Sequence, residues 1–543
     1  MKWKSISALV AAAGLCCGAV AIAQEAPADT AETPAATSAP REDDIRLGYA
    51  YFVERMVGSW NTNGFISRVR RNLRRDLPIM ASVGAPAVKL CLCPPFAGLR
   101  YQEGQGAEVD VETLEASTRN MVTIIRQFAD HGIPVVIDFV LNDYYLRGPN
   151  GWIPNNDPDW YQYAYEPMGF PEGAQRMARD FAEWESAFVE AFREADVERH
   201  ILYYNLFTEA NYSFRPYAKD VTSCVVRTVL ASVNVPDDKR VADAYPHTDA
   251  QHLADDVAAV GKPLALTEVH AYPDVADVDL PAEFAHVKAL FPGIRVELGE
   301  IGGSYCATGE DEFAEARTLR DALDAAHDAG ARLAFNWGLW DADEELVCGE
   351  GFDGLRVGTG FSPGRPRATW GDIVDRYSAL PGGDFETDCS GWTAATEWDA
   401  EVPITHCGPD VGGAATGRHF IRMETVQQEA HEVNSPSFAI DGTHLAVSAY
   451  LRGDCDAAFV HVDYRDESGW NWQTNRAPLI KKAVLPETNR FHQIQDLWGG
   501  EVFRLPDGTR EARLRFVIYA RTADDHHQLD IDAVAVNAFT PLE

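Results

Sequence analysis

Four short segments of the sequence place carboxylate, histidine, aromatic or amide side chains where a run of apolar residues ends. They are Leu206-Phe207-Thr208-Glu209, Glu268-Val269-His270-Ala271-Tyr272, Glu297-Leu298-Gly299-Glu300 and Asn336-Trp337-Gly338-Leu339-Trp340. Two facing carboxylates can cleave a glycosidic bond, because one protonates the departing oxygen while the other attacks the anomeric carbon or activates water. Proximity assists this chemistry, since two like charges resist ionising together and one pKa rises.

Glu300 has little reason to be structural, because glycines flank it on both sides. Glu209 has an alternative interpretation, as a carboxylate placed at the start of a helix and favoured there by the helix dipole. Glu268 and Glu297 lie within strand patterns, where each could support a site or pair with a nearby arginine. Glu209 and Glu300 are therefore the candidate catalytic pair.

Short apolar runs alternate with longer helical patterns between residues 45 and 380, as in a parallel sheet covered by helices. Eight runs begin at Leu47, Ala87, Pro134, Ile201, Arg240, Leu264, Arg295 and Ala331. Clear helical patterns cover 114–131, 175–195, 250–260 and 312–329. Eight βα units in about 330 residues predict a (β/α)₈ TIM barrel, whose active site lies at the carboxyl ends of the strands. An open, doubly wound sheet is the alternative, but the first run lacks its glycine-rich turn.

The strand ends resemble those of the clan A retaining barrel hydrolases, which include the family 5 cellulases and mannanases. The resemblance implies that Glu209 is the acid/base and Glu300 the nucleophile. It implies that His270 and Tyr272 form a His-x-Tyr pair, in which the tyrosine donates a hydrogen bond to the nucleophile. It also implies that Trp337 forms the platform under the sugar at the cleavage point.

Thr208 departs from this resemblance, because an asparagine that binds the sugar's 2-hydroxyl usually precedes the acid/base glutamate. Either the substrate lacks that contact, or Asn211 or Asn142 replaces it. Trp340 is a second candidate for sugar stacking. Lys89, on the second strand, is a candidate for bracing the nucleophile.

Residues 381–543 show short alternating runs separated by turn residues, which predicts an all-β sandwich. The runs cover 444–451, 458–464, 512–519 and 529–536. The opening Gly383-Asp384-Phe385-Glu386, followed by Gly391-Trp392, and the closing Leu529-Asp530-Ile531-Asp532 resemble jelly-roll carbohydrate-binding modules.

The resemblance to these modules implies Glu386 and Asp532 as ligands of a structural calcium ion, which prefers such oxygens. Trp470, Trp472 and Tyr464 are the candidates for binding sugar. The alternative is that these aromatic residues belong to the core of a purely structural sandwich.

The N-terminus has the pattern of a secretion signal: Lys2 and Lys4, an apolar run over residues 6–20, and Ala21-Ile22-Ala23 as the cleavage pattern. We expect cleavage after Ala23 and a secreted or periplasmic protein, with 24–44 as a disordered tether rich in Ala, Pro, Thr and Glu. No later run reaches about 20 apolar residues, which predicts no membrane span.

The formal net charge of −36 opposes nucleic-acid binding, which needs a basic surface. We expect a monomer that binds a polysaccharide or oligosaccharide and uses no cofactor in catalysis. In an oxidising compartment the cysteines can form disulfides, and the candidate pairs are Cys306 with Cys348 and Cys389 with Cys407.

The resulting hypothesis is a retaining glycoside hydrolase that cleaves β-glycosidic bonds, with the interior of a polysaccharide as the expected site of attack. A non-catalytic polysaccharide-binding protein on a decayed barrel is the alternative, and Thr208 is its support. An inverting or metal-assisted hydrolase is a third reading, although no HExxH motif supports a metal.

Overall fold

The computed structural model describes the chain in twenty segments. These are residues 44–51, 63–94, 97–140, 146–148, 151–153, 161–212, 218–245, 247–272, 279–302, 311–337, 356–359, 362–396, 401–408, 413–425, 430–453, 458–471, 480–483, 490–498, 502–519 and 527–543. The predicted signal peptide and all of the tether except Asp44 lie outside these segments, as do Asn142, Trp340, Trp472, Cys306 and Cys348.

Eight parallel strands close into a barrel, as the sequence predicts. They are β1 (Arg46–Tyr51), β2 (Val88–Leu92), β3 (Val135–Phe139), β4 (Ile201–Asn205), β5 (Arg240–Val241), β6 (Leu266–Ala271), β7 (Arg295–Ile301) and β8 (Leu333–Asn336). Each strand pairs with its neighbours in the sequence, and β1 also pairs with β8. Each of the eight predicted runs overlaps one barrel strand.

Eight helices accompany these strands. They are α1 (Asn63–Ser82), α2 (Val111–Ala129), α3 (Glu172–Glu194), α4 (Ala218–Ser232), α5 (Ala250–Val260), α6 (Leu280–Leu290), α7 (Glu312–Asp328) and α8 (Ala368–Tyr377). Asp110, Asp279 and Asp311 cap α2, α6 and α7 by accepting hydrogen bonds from main-chain N–H groups of the first turn. Helix α5 has the predicted bounds and ends at Gly261, whose φ of +73° suits a left-handed C-cap.

Three hairpins follow β2, β3 and β8 at the carboxyl end of the barrel. They are Leu99–Gln102 with Gly106–Val109, Leu146–Gly148 with Gly151–Ile153, and Arg356–Thr359 with Ser362–Pro366. Short helical turns occur at Tyr161–Tyr165, Glu166–Met168, Glu198–His200, Asp237–Lys239 and His247–Asp249. The insertions are therefore at the end of the barrel where substrates bind.

The barrel interior has an apolar layer and, nearer the carboxyl ends, a polar layer. Ala87, Val136, Tyr203, Val241, Leu266 and Phe335 form the apolar cluster. Two residues further along the same strands stand the buried polar side chains Lys89, Asp138, Asn205, Asp243 and Glu268. This period of two is expected where alternate residues point into a barrel. The apolar layer closes the base of a polar site.

A sandwich of antiparallel strands follows the barrel, as predicted. The strands are β9 (Thr393–Thr396), β10 (Glu401–Val402), β11 (Thr405–Cys407), β12 (Phe420–Thr425), β13 (Ala430–Asn434), β14 (Phe438–Ala439), β15 (His444–Gly453), β16 (Ala458–Asp466), β17 (Gly469–Asn471), β18 (Ile480–Ala483), β19 (His492–Gln493), β20 (Phe503–Arg504), β21 (Glu511–Tyr519) and β22 (His527–Phe539), with α9 at Ile494–Trp498. One sheet has the order β10-β9-β13-β21-β16-β17, with β14 on β21 and β18 on β16. The other has the order β11-β12-β22-β15-β19, with β20 on β15.

The two sheets enclose a second core, and the barrel packs on the outer face of the β15–β22 sheet. Ala446 and Ala535 belong to the barrel core, and Ser82 Oγ of α1 donates to Ser448 Oγ at 2.9 Å. Leu542 N donates to the carbonyl of Ala129 at 2.9 Å. In the described residues, the barrel and the sandwich belong to one compact unit. Of the helices in the described ranges, none is both long enough and apolar enough to cross a bilayer.

The predicted disulfide between Cys389 and Cys407 is wrong, because both residues are free cysteines. Cys407 Sγ lies 3.8 Å from the carbonyl oxygen of Thr405, to which the thiol donates. Cys407 is buried in β11, and burial raises the pKa of its thiol. Both features fit a structural thiol.

Candidate active site

Glu209 and Glu300 meet at the mouth of the barrel. One carboxylate oxygen of each residue and one ring nitrogen of His270 lie within 4.8 Å of one another. The side chain of Glu209 is 16 % exposed, whereas that of Glu300 is 2 % exposed. A covalent, retaining displacement requires a carboxyl separation of about 5 to 5.5 Å, and an inverting one needs about 6.5 to 9.5 Å. The pair is therefore close enough for direct attack on a sugar bound between its members.

A β-bulge in β7 brings Glu300 beside His270. Val269 pairs with Leu298, but the next residue, His270, pairs with Glu300, so Gly299 is the extra residue. A Cβ atom on Gly299 would lie 2.4 Å from Glu268 Oε2. The bulge therefore requires glycine at position 299, which explains why a glycine directly precedes Glu300.

The imidazole of His270 lies between three carboxylates. Its Nδ1 is 2.9 Å from Glu209 Oε1 and 3.4 Å from Glu300 Oε2, and its Nε2 is 3.3 Å from Asp243 Oδ2. Burial disfavours the charged ring, but Glu300, Asp243 and Glu209 together raise the pKa of His270 well above its ordinary value. The raised pKa favours an imidazolium, which donates through Nδ1 to Glu209 Oε1 and lies within ion-pair distance of Glu300.

Only one carboxylate oxygen of Glu300 accepts a hydrogen bond from the described residues. The hydroxyl of Tyr272 donates to Oε2, as the His-x-Tyr resemblance implies, whereas the buried Oε1 has no hydrogen-bond partner among the described residues. Burial raises the pKa of Glu300 well above its usual range; His270 opposes this rise and the carboxylate of Glu209 adds to it. The like charges of two carboxylates at this distance disfavour the ionisation of both at once.

The indole of Trp337 stands at the edge of the same site. Trp337 follows β8, is half-buried and meets the ring of Tyr272 edge-on, with centroids 6.4 Å apart and planes at 89°. Its main-chain N–H donates to the carbonyl of Ile301 at 2.8 Å. An aromatic ring beside the nucleophile is well placed to pack against a sugar face.

Lys89 does not contact Glu300, contrary to the prediction that it braces the nucleophile. Its ammonium forms a fully buried ion pair with Glu268 Oε2 at 2.8 Å, and Tyr203 donates its hydroxyl to Glu268 Oε1 at 2.7 Å. Burial alone would raise the pKa of Glu268, but Lys89 and His270 lower it to about 2. Lys89 acts on Glu300 only through its charge.

Thr208 is buried, and its hydroxyl donates to Asp138 Oδ1 at 2.5 Å. This hydroxyl is therefore directed at a neighbouring strand, where it has a structural role. The threonine that stands in place of the expected asparagine thus has a structural explanation and gives no support to a decayed barrel. Asn211 lies two residues past Glu209, where its carbonyl accepts a hydrogen bond from Thr222 of α4 at 2.8 Å.

Two groups of ligand-type atoms in the described residues could be considered for a metal ion: Glu209, His270 and Glu300, and Asp243, Glu268 and His270. The second group includes the carboxylate that pairs with the Lys89 ammonium, which would repel a cation. In both groups the imidazole of His270 would have to lose its proton to bind a metal ion, whereas all members of the first group can serve as acid–base groups without one.

A segment that follows β5 also belongs to the site, although its residues are not among those predicted from the sequence. Asp243, Tyr245 and His247 each contact His270: Asp243 as above, Tyr245 by stacking with centroids 6.5 Å apart, and His247 by a hydrogen bond between its Nε2 and the main-chain oxygen of His270. Their spacing of two residues is the signal that could have found them, because alternate residues after a barrel strand share a side.

The sugar-binding candidates in the sandwich differ in position. Tyr464 is 4 % exposed and belongs to the core between the sheets, so the prediction that it binds sugar is wrong. Trp470 pairs with Arg465 in the β16–β17 register and is partly exposed, with the guanidinium of Arg513 5.4 Å from its ring centroid. Trp470 stays a candidate.

Glu386 and Asp532 converge on residues 415–419, but main-chain N–H groups occupy their oxygens. Asp532 Oδ2 accepts from the N–H groups of Ala415 and Thr416, and Glu386 Oε1 accepts from those of Arg418 and His419. Calcium requires six to eight oxygen ligands, whereas this segment presents N–H donors. The described residues therefore do not fit the calcium ion that the resemblance implies.

Comparisons with known proteins give distant structural likenesses only. No family model and no curated protein matches the chain. A GH5-4 broad-specificity endoglucanase from Bacteroides salanitronis is 15 % identical over 57 % of this chain and 87 % of its own, with a TM-score of 0.39. TmCBM61 in complex with β-1,4-galactotriose is 13 % identical over 30 % of this chain and 98 % of its own, with a TM-score of 0.22.

The chain spans only 23 % of the enzymatically active domain of tailspike protein 4 of bacteriophage CBA120, at 14 % identity over 31 % of this chain and a TM-score of 0.24. The functional argument therefore depends on the geometry of the site.

Proposed function

We propose that this protein is a retaining glycoside hydrolase that cleaves β-glycosidic bonds in a polysaccharide or oligosaccharide through a covalent glycosyl-enzyme intermediate. The observation that carries the proposal is the approach of Glu209 and Glu300 carboxylate oxygens within 4.8 Å, with His270 between them. This separation supports direct attack by a carboxylate, because an inverting pair needs room for a water molecule.

In the first step, Glu300 attacks the anomeric carbon with Oε1, while the hydroxyl of Tyr272 holds Oε2. Glu209 transfers its proton to the glycosidic oxygen as the bond between that oxygen and the anomeric carbon breaks. The products are an ester between Glu300 and the sugar, an alcohol leaving group and an ionised Glu209.

In the second step, the ionised Glu209 removes a proton from water, whose oxygen attacks the anomeric carbon. The ester bond breaks, Glu300 returns to a carboxylate, and the sugar leaves with its original anomeric configuration. Tyr272 and the imidazolium of His270 favour Glu300 as a leaving carboxylate, since the phenol donates a hydrogen bond to its charged form and the ring lies within ion-pair distance of it.

Proton NMR of the first product tests the proposal. The native protein is incubated with β-glucans, mannans, xylans and β-galactans, and spectra are recorded before mutarotation equilibrates the anomers. Glu300→Gln is the matched control, because it keeps the shape of the side chain and removes the nucleophile. Hydrolysis with retained configuration supports the proposal, whereas an inverted first product or no hydrolysis of any glycan contradicts it.

We also propose that the chain acts outside the cytoplasm as a monomer, cutting within long chains. The predicted signal supports export, and the expected mature protein begins at Gln24. N-terminal sequencing of secreted material and sedimentation of the purified protein test these two points. Internal cutting predicts that substrate viscosity falls faster than reducing ends accumulate.

A further inference from the structure

The segment after β5 surrounds the histidine that bridges the two candidate catalytic glutamates. Asp243 Oδ2 lies 3.3 Å from His270 Nε2, the ring of Tyr245 stacks on the imidazole at an interplanar angle of 26°, and His247 Nε2 is bonded to the His270 carbonyl at 2.7 Å. Asp243 and Tyr245 therefore contact the ring of His270, and His247 holds its main chain, so this segment positions the histidine.

Asp243 also holds the main chain of Glu209. Its Oδ2 accepts the N–H of Glu209 at 2.9 Å, and its Oδ1 accepts from Asn205 Nδ2 at 2.6 Å. Glu209 has a φ of +54°, a left-handed conformation that non-glycine residues adopt only when their surroundings enforce it. Asp243 is fully buried, so these hydrogen bonds do not exchange with bulk water.

Asp243, His270 and Glu209 consequently form a closed loop of contacts. The carboxylate of Asp243 touches both the main chain of Glu209 and the imidazole that donates to Glu209 Oε1 at 2.9 Å. Because Oε1 accepts this charged hydrogen bond, the transferable proton is assigned to Oε2.

We propose that Asp243 is a positioning residue for the acid/base step: it fixes Glu209 through the main chain and through His270, so that Oε2 presents its proton to the glycosidic oxygen. This inference rests on the proposed function. The inference predicts a specific effect on the rate of cleavage. Displacement of the Glu209 carboxyl slows cleavage only when the departing oxygen needs a proton.

Asp243→Asn tests the inference with two classes of substrate that share one sugar. One class has an alkyl or sugar leaving group, which needs acid assistance, and the other a dinitrophenyl group, which departs without it. We expect kcat/KM to fall about 10- to 100-fold for the first class. For the dinitrophenyl substrate we expect less than about a threefold loss, since this group departs without a proton and Glu300 keeps its hydrogen bond from Tyr272.

The pH profile is the second readout. The titratable groups that face His270 and Asp243 are Glu209, Glu268, Glu300, Tyr245 and His247, with Lys89 and Asp138 contributing through their charges. Asp243→Asn removes one of the carboxylates that raise the pKa of His270, so the imidazolium loses its proton at lower pH. We expect the basic limb of kcat/KM for the poor leaving group to move to lower pH.

Asp180→Asn is the matched control, because Asp180 is a buried aspartate on α3 that accepts from Ala107 N at 3.0 Å and from Tyr165. We expect it to leave the ratio of the two activities unchanged. If Asp243→Asn does not fold, Asp243→Glu is measured in the same way, with the loss again confined to poor leaving groups.

An equal loss with both substrate classes, or no loss with either, overturns the role of Asp243 and leaves the proposed function standing. No hydrolysis by the native protein overturns both. The expected result is a loss restricted to poor leaving groups, together with the shifted basic limb.

Discussion

Buried carboxylates occur in both halves of the molecule, but their partners differ in kind. In the sandwich, Asp532 accepts from three main-chain N–H groups, those of Ala415, Thr416 and Ala533. In the barrel, Glu300 is held by a phenol and an imidazolium, and its Oε1 has no partner among the described residues. Main-chain amides cannot exchange protons with a carboxylate, whereas side chains can.

A perturbed pKa does not separate these two sites. Burial raises the pKa of Glu300 and that of Asp532 well above their ordinary values, although Asp532 has no place in the proposed chemistry. Structural and catalytic carboxylates both acquire such shifts. The type of hydrogen-bond donor and the presence of an unused oxygen are therefore the more informative features.

The largest expected effect concerns Glu300. Glu300→Gln should lower kcat by at least about 10⁴-fold, because an amide cannot form the glycosyl ester. The melting temperature should stay the same or rise, since a neutral side chain avoids the cost of burying a charge. Initial rates and calorimetry on the same preparation measure both quantities. Substantial residual turnover by the Glu300→Gln variant would contradict the distinction between a catalytic Glu300 and a structural Asp532.

The second prediction concerns the buried ion pair below the site. Lys89→Met should destabilise the protein by about 3–5 kcal/mol, because it leaves the Glu268 carboxylate buried without its counter-ion. Denaturant unfolding measures the change, and Lys89→Met/Glu268→Gln should recover most of it. Arg465→Met is the contrasting variant, since its pair with Glu511 is partly exposed and should be worth less than about 1 kcal/mol.

The barrel and the positions of the two glutamates could be predicted from sequence because both depend on local patterns. Alternation of apolar runs with helical patterns indicates a parallel barrel, and a strand-end residue lies at its mouth. Glu209 and Glu300 follow from that rule. The partners of Thr208 and Lys89 do not, because inward side chains of different strands meet only once the strand stagger of the barrel is set.

Asp243 was overlooked because of a misplaced strand end. Residues 240–245 have the pattern of one strand, but β5 contains only Arg240 and Val241, so Asp243 belongs to the mouth of the barrel. Tyr464 illustrates the opposite case. Val460, Val462 and Tyr464 are alternate residues of one strand and all belong to the core, whereas Asp463 lies on the other face of the sheet. The period of two in the sequence could have shown this.

The third prediction tests the structural assignment of the sandwich carboxylate. Asp532→Asn should lower stability by about 1–3 kcal/mol, because the amide replaces an acceptor of main-chain N–H groups with a donor. Hydrolysis at a temperature well below unfolding should be unchanged. A fall in kcat with unchanged melting temperature would contradict the distinction between the two carboxylate sites.

The smallest expected effect concerns Trp470, whose ring is partly exposed beside Arg513. If the sandwich binds the glycan that the barrel cleaves, Trp470→Ala should weaken that binding about five- to tenfold, which corresponds to roughly 1 kcal/mol. Affinity electrophoresis in gels that contain the substrate polysaccharide measures this change, with the Glu300→Gln background preventing hydrolysis.

Tyr464→Ala is the contrasting variant: its ring lies in the core, so it should lower the melting temperature, whereas Trp470→Ala should not. Unchanged retardation of the Trp470 variant would assign the aromatic residues of this sheet to structure alone, and would confine glycan recognition to the barrel mouth.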